Sequence, residues 1–220
     1  MDTRIAATLA ALIVMATAAP AALAQEPAAV SDPAAEKIDK QIGDAVFDRP
    51  RVWVDSRWKA GGPDALDLAI KGTFNLDKLA FFGRARSGFV NVEVYSTSQR
   101  ALGRLPGAKC WKTIKQFSFG TLATLGLGSS DPRAWEADGA VGPAVFSIKS
   151  PQQVQWTLGG TAPVTMVETY NPATMLPLKS ETVQQVPATA TDPAYTAEAI
   201  TKYKFNALSW KPPRKPKRCR

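Results

Sequence analysis

The sequence predicts an α+β domain that is mainly β, an antiparallel sheet or barrel covered by little helix. Three observations carry this reading. Residues 51–105 fall into short alternating runs separated by turn residues every 8–12 positions, and a second such series occupies 144–210. The stretch Val164–Gln184 reads as a hairpin, with two alternating runs around a connector that has a proline near each end. Clear helical spacing occurs only at Pro33–Phe47.

The N-terminus is set aside first. Arg4 precedes an apolar run from Ile5 to Ala19, Pro20 breaks it, and Ala22-Leu23-Ala24 forms a small-x-small cleavage site before Gln25. This pattern is that of a secretory signal peptide, and the run is too short to span a bilayer. No cysteine follows it, so lipoprotein processing is not expected. The mature chain of about 196 residues is expected to be one exported domain, periplasmic in a two-membrane cell.

Residues 25–34 are rich in Ala and Pro and read as a disordered lead-in. Ile38, Ile42 and Val46 recur at spacings of four, with Asp32 and Pro33 as N-cap and first-turn residues, which predicts the helix Pro33–Phe47. Arg51–Lys59 alternates at Val52 and Val54 and then loses register. After a turn over Ala60–Asp64, Leu66–Asn75 alternates at Leu66, Leu68 and Ile70. Leu79–Arg86, Phe89–Ser96 and Ala101–Leu105 are further strands, and Pro106-Gly107 turns the chain into a run from Lys109 to Lys115. Phe117–Trp135, small-residue-rich and apolar, settles on neither period; it reads as a loose helix or a lid-like loop.

Strand-like stretches resume at 144–149 and 154–158. In the hairpin, Val164, Met166 and Glu168 share one face, as do Leu178, Ser180, Thr182 and Gln184 in the second run. Thr201–Trp210 supplies a last strand through Tyr203 and Phe205.

The net charge is +8, but six of the 27 basic residues lie in the last ten positions. With those set aside and the leader removed, 20 basic residues face 18 acidic ones, so the body is nearly neutral. Basic residues near aromatics (Arg84, Arg86, Lys109, Lys112 and Lys115) read as charged strand edges that discourage pairing, and nucleic acid is not an expected partner. The tail, residues 211–220, reads as disordered and basic. Its Lys211, Arg214, Lys215, Lys217, Arg218 and Arg220 suit contact with an anionic membrane or cell-wall surface, against the plainer reading of a solubilising end. Cys110 and Cys219 are the only cysteines; an exported setting favours one disulfide between them over two free thiols.

Enzyme chemistry finds little support. The chain contains no histidine, which excludes His-based acid–base catalysis, a Ser-His-Asp triad and His-ligated metal. The Gly-rich run at 120–128 lacks the Lys-Ser/Thr of a phosphate-binding loop. Asp64 and Asp67 read as solvated charges at a strand end rather than an acid–base pair, and no cofactor is implied. Six Trp and nine Phe leave two readings open: an ordinary core, or the lining of an apolar cavity.

Two short elements carry a resemblance. Gly107-Ala108-Lys109-Cys110-Trp111 and Tyr170-Asn171-Pro172-Ala173-Thr174-Met175-Leu176-Pro177-Leu178 resemble turn motifs of the LolA-like superfamily of exported lipid-handling proteins, which includes the LppX/LprG type. Asn171 stands where that group usually has Asp. The resemblance spans most of 35–210. It implies a strongly curved antiparallel sheet, a half-open barrel, whose helices cover a cavity for an acyl chain. On the cavity reading of the aromatics, the candidate ligand contacts are Phe74, Phe81, Phe82, Phe89 and Trp111 before the irregular middle of the chain. Phe117, Phe119, Trp135, Trp156 and Met166 complete the set within it and beyond. The expected function is binding or carrying a lipid or other hydrophobic small molecule; the alternative is a regulatory module that docks a protein partner on the same sheet.

Overall fold

A computed structural model describes residues 30–61, 65–115, 117–127, 141–190, 192–205, 211–213 and 216–219. The segment expected to be a signal peptide lies outside them. Helix α1 spans Pro33–Phe47, and the cause is local. Asp32 caps it by accepting a 2.9 Å bond from the Ala34 N–H, and Pro33 occupies the first turn, where no N–H is needed. Lys40 and Asp44 pair across one turn on the solvent side. Ala35 and Ile42 are buried, and Ile38 packs beside them.

The strands are β1 (Arg51–Ala60), β2 (Leu66–Asn75), β3 (Ala80–Ser87), β4 (Val90–Thr97), β5 (Ala101–Arg104) and β6 (Lys112–Thr113), followed after helix α2 (Phe119–Gly126) by β7 (Val141–Ser150), β8 (Gln153–Gly160), β9 (Val164–Asn171), β10 (Leu176–Val186) and β11 (Tyr195–Lys204). They form one antiparallel sheet in the order β6-β5-β4-β3-β2-β1-β11-β10-β9-β8-β7. Two meanders therefore meet where β1 pairs with β11, and the sheet is curved but not closed. The expected mainly-β α+β fold is the one observed. Helix α1 packs on β7, β8 and β10, and α2 on β1, β2 and β3.

Each edge of the open sheet is met at one point by another part of the chain, which lessens the hazard of a bare strand edge. Along β7, the Asp32 N–H donates to Phe146 O, and the Phe146 N–H donates to Ser31 Oγ. At the other edge, Trp111 pairs in parallel with Arg218: the Trp111 N–H donates to Lys217 O, and the Cys219 N–H to Trp111 O. Cys110 and Cys219 form a disulfide with their Cα atoms 5.0 Å apart. The described end of the tail is thus fastened to the sheet, where the sequence suggested a disordered segment.

Other expectations change in detail. Strand β1 keeps its register to the end: Val52, Val54, Ser56 and Trp58 are all buried on one face. Ser56 disturbs the hydrophobic pattern but not the pleat. The run from Lys109 to Lys115 holds only the two-residue β6, and β11 starts at Tyr195 rather than Thr201. Within Phe117–Trp135, Ser118 caps α2 by accepting from the Thr121 N–H, while residues 128–140 lie outside the described set.

The hairpin connector is tighter than its prolines suggest, only Pro172–Met175. Asn171 closes it: its Oδ1 accepts from the Ala173 N–H at 2.9 Å, and its backbone O accepts from Thr174 and Met175. Met175 takes a left-handed conformation at φ 54°. Just beyond, the register shifts between Pro177 and Lys179, because proline cannot donate to the ladder. Leu178 is therefore exposed, whereas Ser180 and Thr182 turn inward, so the four residues expected on one face are split.

Curvature has a visible cause on the inner face. Val54, Gly72, Gly83, Val94 and Gly103 stand in one cross-strand row. A Cβ on Gly83 would meet Gly72 Cα at 2.6 Å and the Phe81 ring at 2.7 Å, besides the Lys71 carbonyl. The two glycines let β2 and β3 fold around that ring. Gly83→Ala is expected to destabilise the protein by about 2–3 kcal/mol in urea denaturation, since backbone rather than a flexible side chain must give way. A loss below about 0.5 kcal/mol would refute this packing.

Candidate binding face

Among the described residues, the inner face carries two apolar clusters. One, under α2, includes Val54, Ile70, Phe74, Phe81, Phe117 and Leu122, with Phe119 packed against it. Phe74 lies 4.8 Å from Phe81 and 6.0 Å from Phe119, centroid to centroid. The other, under α1, includes Ile42, Val154, Trp156, Leu158, Val164 and Met166.

Small and hydroxyl side chains lie between them. One inward row reads Ile70, Ser56, Thr201, Ser180, Glu168, Val154 across β2, β1, β11, β10, β9 and β8. The next reads Leu68, Trp58, Ala199, Thr182, Met166, Trp156. All twelve residues are buried.

The two ends of this band differ. On the β1 side the polar groups satisfy one another. Thr201 Oγ1 donates to Ser56 Oγ, Ser56 Oγ donates to Leu125 O, and Trp58 Nε1 donates toward both oxygens, each at 2.9 Å. These bonds also tie the end of α2 to the sheet. Ser180 Oγ and Tyr203 Oη lie 3.0 Å apart. On the β8–β10 side, Trp156 Nε1, Glu168 Oε2 and Thr182 Oγ1 have no hydrogen-bond partner. Each such atom costs about 1–3 kcal/mol when buried.

Burial, and then the charge of Asp39 on α1, push the Glu168 carboxyl up from 4.5 to about 8. It is therefore protonated at neutral pH. Burial first, and then Glu168, hold the Tyr203 phenol well above the usual tyrosine range.

The expected ligand contacts separate accordingly. Phe74, Phe81, Phe117 and Phe119 gather under α2, while Trp156 and Met166 belong to the other cluster. Phe82 stands in the opposite, outward row, half-buried beside Thr73 and Tyr95, because a strand turns alternate residues to opposite faces. Phe89 is fully exposed at the β3–β4 turn. Trp111 is buried at the β6 edge beneath the Arg104 guanidinium, 4.7 Å from its ring. These three do not join the inner face, and Trp135 lies outside the described residues.

Of the basic tail, Lys211, Lys217 and Arg218 are exposed; Arg214, Lys215 and Arg220 fall outside the described set. Arg84 pairs with Glu93 and Arg86 with Asp67, as charged strand surfaces do. Among the described residues, no three His, Cys, Asp or Glu side chains gather as a metal site, and no helix is long and apolar enough to cross a membrane. The residues that sequence reasoning missed are Ser56, Thr201, Thr182 and Ser180 as a buried band. The signal was their inward parity with Val54, Tyr203 and Met166.

No family model and no curated protein matches the chain. Among solved structures it is similar to lipoprotein LppX of Mycobacterium tuberculosis, at 12% identity over 81% of this chain and 99% of that one, with a TM-score of 0.48. LprF of Mycobacterium bovis matches at 12% identity over 84% and 98%, TM-score 0.45. A DUF1329 family protein of Desulfovibrio piger matches at 9% identity over 81% and 96%, TM-score 0.30.

Proposed function

We propose that this is an exported, non-enzymatic protein that binds or carries a lipid or other apolar molecule on the inner face of its curved sheet. The divided core is the observation that carries this reading. A domain of this size ordinarily gathers one contiguous apolar cluster; here, among the described residues, two clusters flank a band of Ser and Thr on β1, β10 and β11. Large apolar side chains at either end suit the two flanks of an acyl chain, with small side chains between them. Phe74, Phe81, Phe117, Phe119, Trp156 and Met166 are the contacts we retain.

Catalysis has no comparable support. The chain has no histidine, and the hydroxyls of Ser56 and Thr201 are engaged with each other and with a backbone carbonyl. The exposed Lys211, Lys217 and Arg218 suit contact with an anionic lipid or cell-wall surface, each cation contributing about 1 kcal/mol at such a surface.

A fluorescence titration tests the central reading. The reporter N-phenyl-1-naphthylamine, which brightens in apolar surroundings, is expected to bind the mature protein saturably at one site with micromolar Kd. Fatty-acyl compounds should displace it. Unsaturable, linear emission would contradict the proposal.

A further inference from the structure

The unsatisfied end of the polar band is compact. Trp156 stands opposite Met166, and Met166 opposite Thr182, so the indole and the hydroxyl flank β9 about two strand spacings apart, ~10 Å. Glu168 is the next inward residue along β9, ~7 Å further on. The three residues are 0%, 4% and 1% exposed respectively, and each has a polar side-chain atom without a partner. Ser56, Trp58 and Thr201, in the same two rows, are satisfied, so within these rows the deficit lies at the β8–β10 end; the other buried oxygen without a partner among the described residues is Ser96 Oγ on β4.

We propose that Trp156, Thr182 and Glu168 form a polar subsite that takes an uncharged hydrogen-bonding group, an ester carbonyl or hydroxyl, of an otherwise apolar ligand. This rests on the inner face being the ligand's seat. The donor inventory chooses the class. An indole N–H only donates, a threonine hydroxyl donates and accepts, and a protonated carboxyl does both. Asp39 acts on Glu168 from α1 and no cation is among the charges that shift its carboxyl, so an anionic headgroup would meet repulsion there. An ammonium group would engage the two carboxyls but offer the indole N–H no acceptor. A carbonyl or hydroxyl matches all three.

Among the described residues, the titratable groups that act on Glu168 or feel its charge are Asp39 from α1 and Tyr203 from β11. Strands β8 and β10 present Val154, Trp156, Ser180 and Thr182 there, none of which titrates near neutrality.

Displacement titrations of the mature protein with three probes decide the matter: 1,2-dioctanoylglycerol, dodecylamine and pyrene, which has no hydrogen-bonding group. Dioctanoylglycerol is expected to bind more tightly than dodecylamine. Thr182→Val should weaken dioctanoylglycerol about 10-fold while leaving pyrene within about 3-fold, and Trp156→Phe, which also removes apolar contact, should weaken dioctanoylglycerol about 10-fold more than it weakens pyrene. Raising the pH from 7 to 9 ionises Glu168 and should weaken dioctanoylglycerol about 10-fold in the wild type. Glu168→Gln, whose amide still donates and accepts, should keep its pH 7 affinity at pH 9. The subsite is overturned if the variants weaken pyrene and dioctanoylglycerol equally. It is also overturned if dodecylamine binds more tightly and gains affinity from pH 7 to 9. Pyrene binding without discrimination overturns the subsite alone. Failure of every probe, pyrene included, overturns the inner-face reading and the subsite with it.

Discussion

The unfolding free energy of the wild type should fall by about 5 kcal/mol more than that of Glu168→Gln as pH rises from 4.5 to above 8. In the unfolded chain the Glu168 carboxyl ionises near 4.5, and in the folded protein near 8. Between those values the native state holds one proton more than the unfolded state, so stability declines with pH, at about 1.4 kcal/mol per unit. Below 4.5 both states are protonated, and the residue contributes no pH dependence. Above about 8 both are ionised, and the full cost of a buried carboxylate beside Asp39 is present. The glutamine variant matches the neutral acid in shape, so it should be the more stable protein at pH 9 and nearly equal to the wild type at pH 4.5. Urea denaturation of the pair across pH 4–9 measures the difference directly. Parallel curves would show that the side chain reaches water in the folded state.

Removing the disulfide should have an effect of similar size. Cys110 and Cys219 are 109 residues apart, and a closed loop of that length restricts the unfolded chain by about 4–5 kcal/mol. The native state loses contacts as well, because the pairing of Trp111 with Lys217 and Cys219 holds the tail against the β6 edge. Cys110→Ser with Cys219→Ser is expected to lower Tm by about 10 °C or more, given about 2–4 °C per kcal/mol for a domain of this size. Amide exchange at Trp111 and Cys219 should rise well beyond that of the β1–β2 pair. A change under about 1 kcal/mol would mean that the reduced chain already holds its tail in place.

The fold was legible where one physical signal acted alone. Pro33–Phe47 declared itself through Asp32, Pro33 and the spacing of Ile38 and Ile42. The strands declared themselves wherever parity and hydrophobicity agreed, as at Leu68 and Ile70 or at Val164 and Met166. Reading failed where a residue's inward position was set by the pleat and not by its own polarity. Ser56 seemed to end the register of β1 because a serine looks like a surface residue; its bonds to Thr201 and Leu125 make it an inner one. Leu178 was assigned to the face of Ser180 because a bulge at Pro177 is invisible to a count of two.

The candidate site suffered from the same limitation. Aromatic residues are the conspicuous choice for an apolar seat, and Phe74, Phe81 and Trp156 do face inward. Phe82 and Phe89 are as hydrophobic, but strand parity sends one outward and a turn exposes the other. Nothing local distinguishes them, since the face depends on pairing with β2 and β4. The polar band was harder still, because it exists only once β1, β11, β10 and β9 lie side by side. Ser56 and Thr201, opposite one another, are 145 residues apart in the chain. Glu168 alone carried a hint, an acid at inward parity between Met166 and Tyr170.

Native mass spectrometry of the protein purified under mild conditions from its source cells tests the central claim most directly. A fraction of the molecules should carry one discrete adduct in the mass range of a lipid, released by organic solvent and identifiable as a neutral, ester- or hydroxyl-bearing species. Folded protein of unadorned mass throughout, which takes up no acyl compound on incubation, would contradict the assignment of the inner face as a lipid seat.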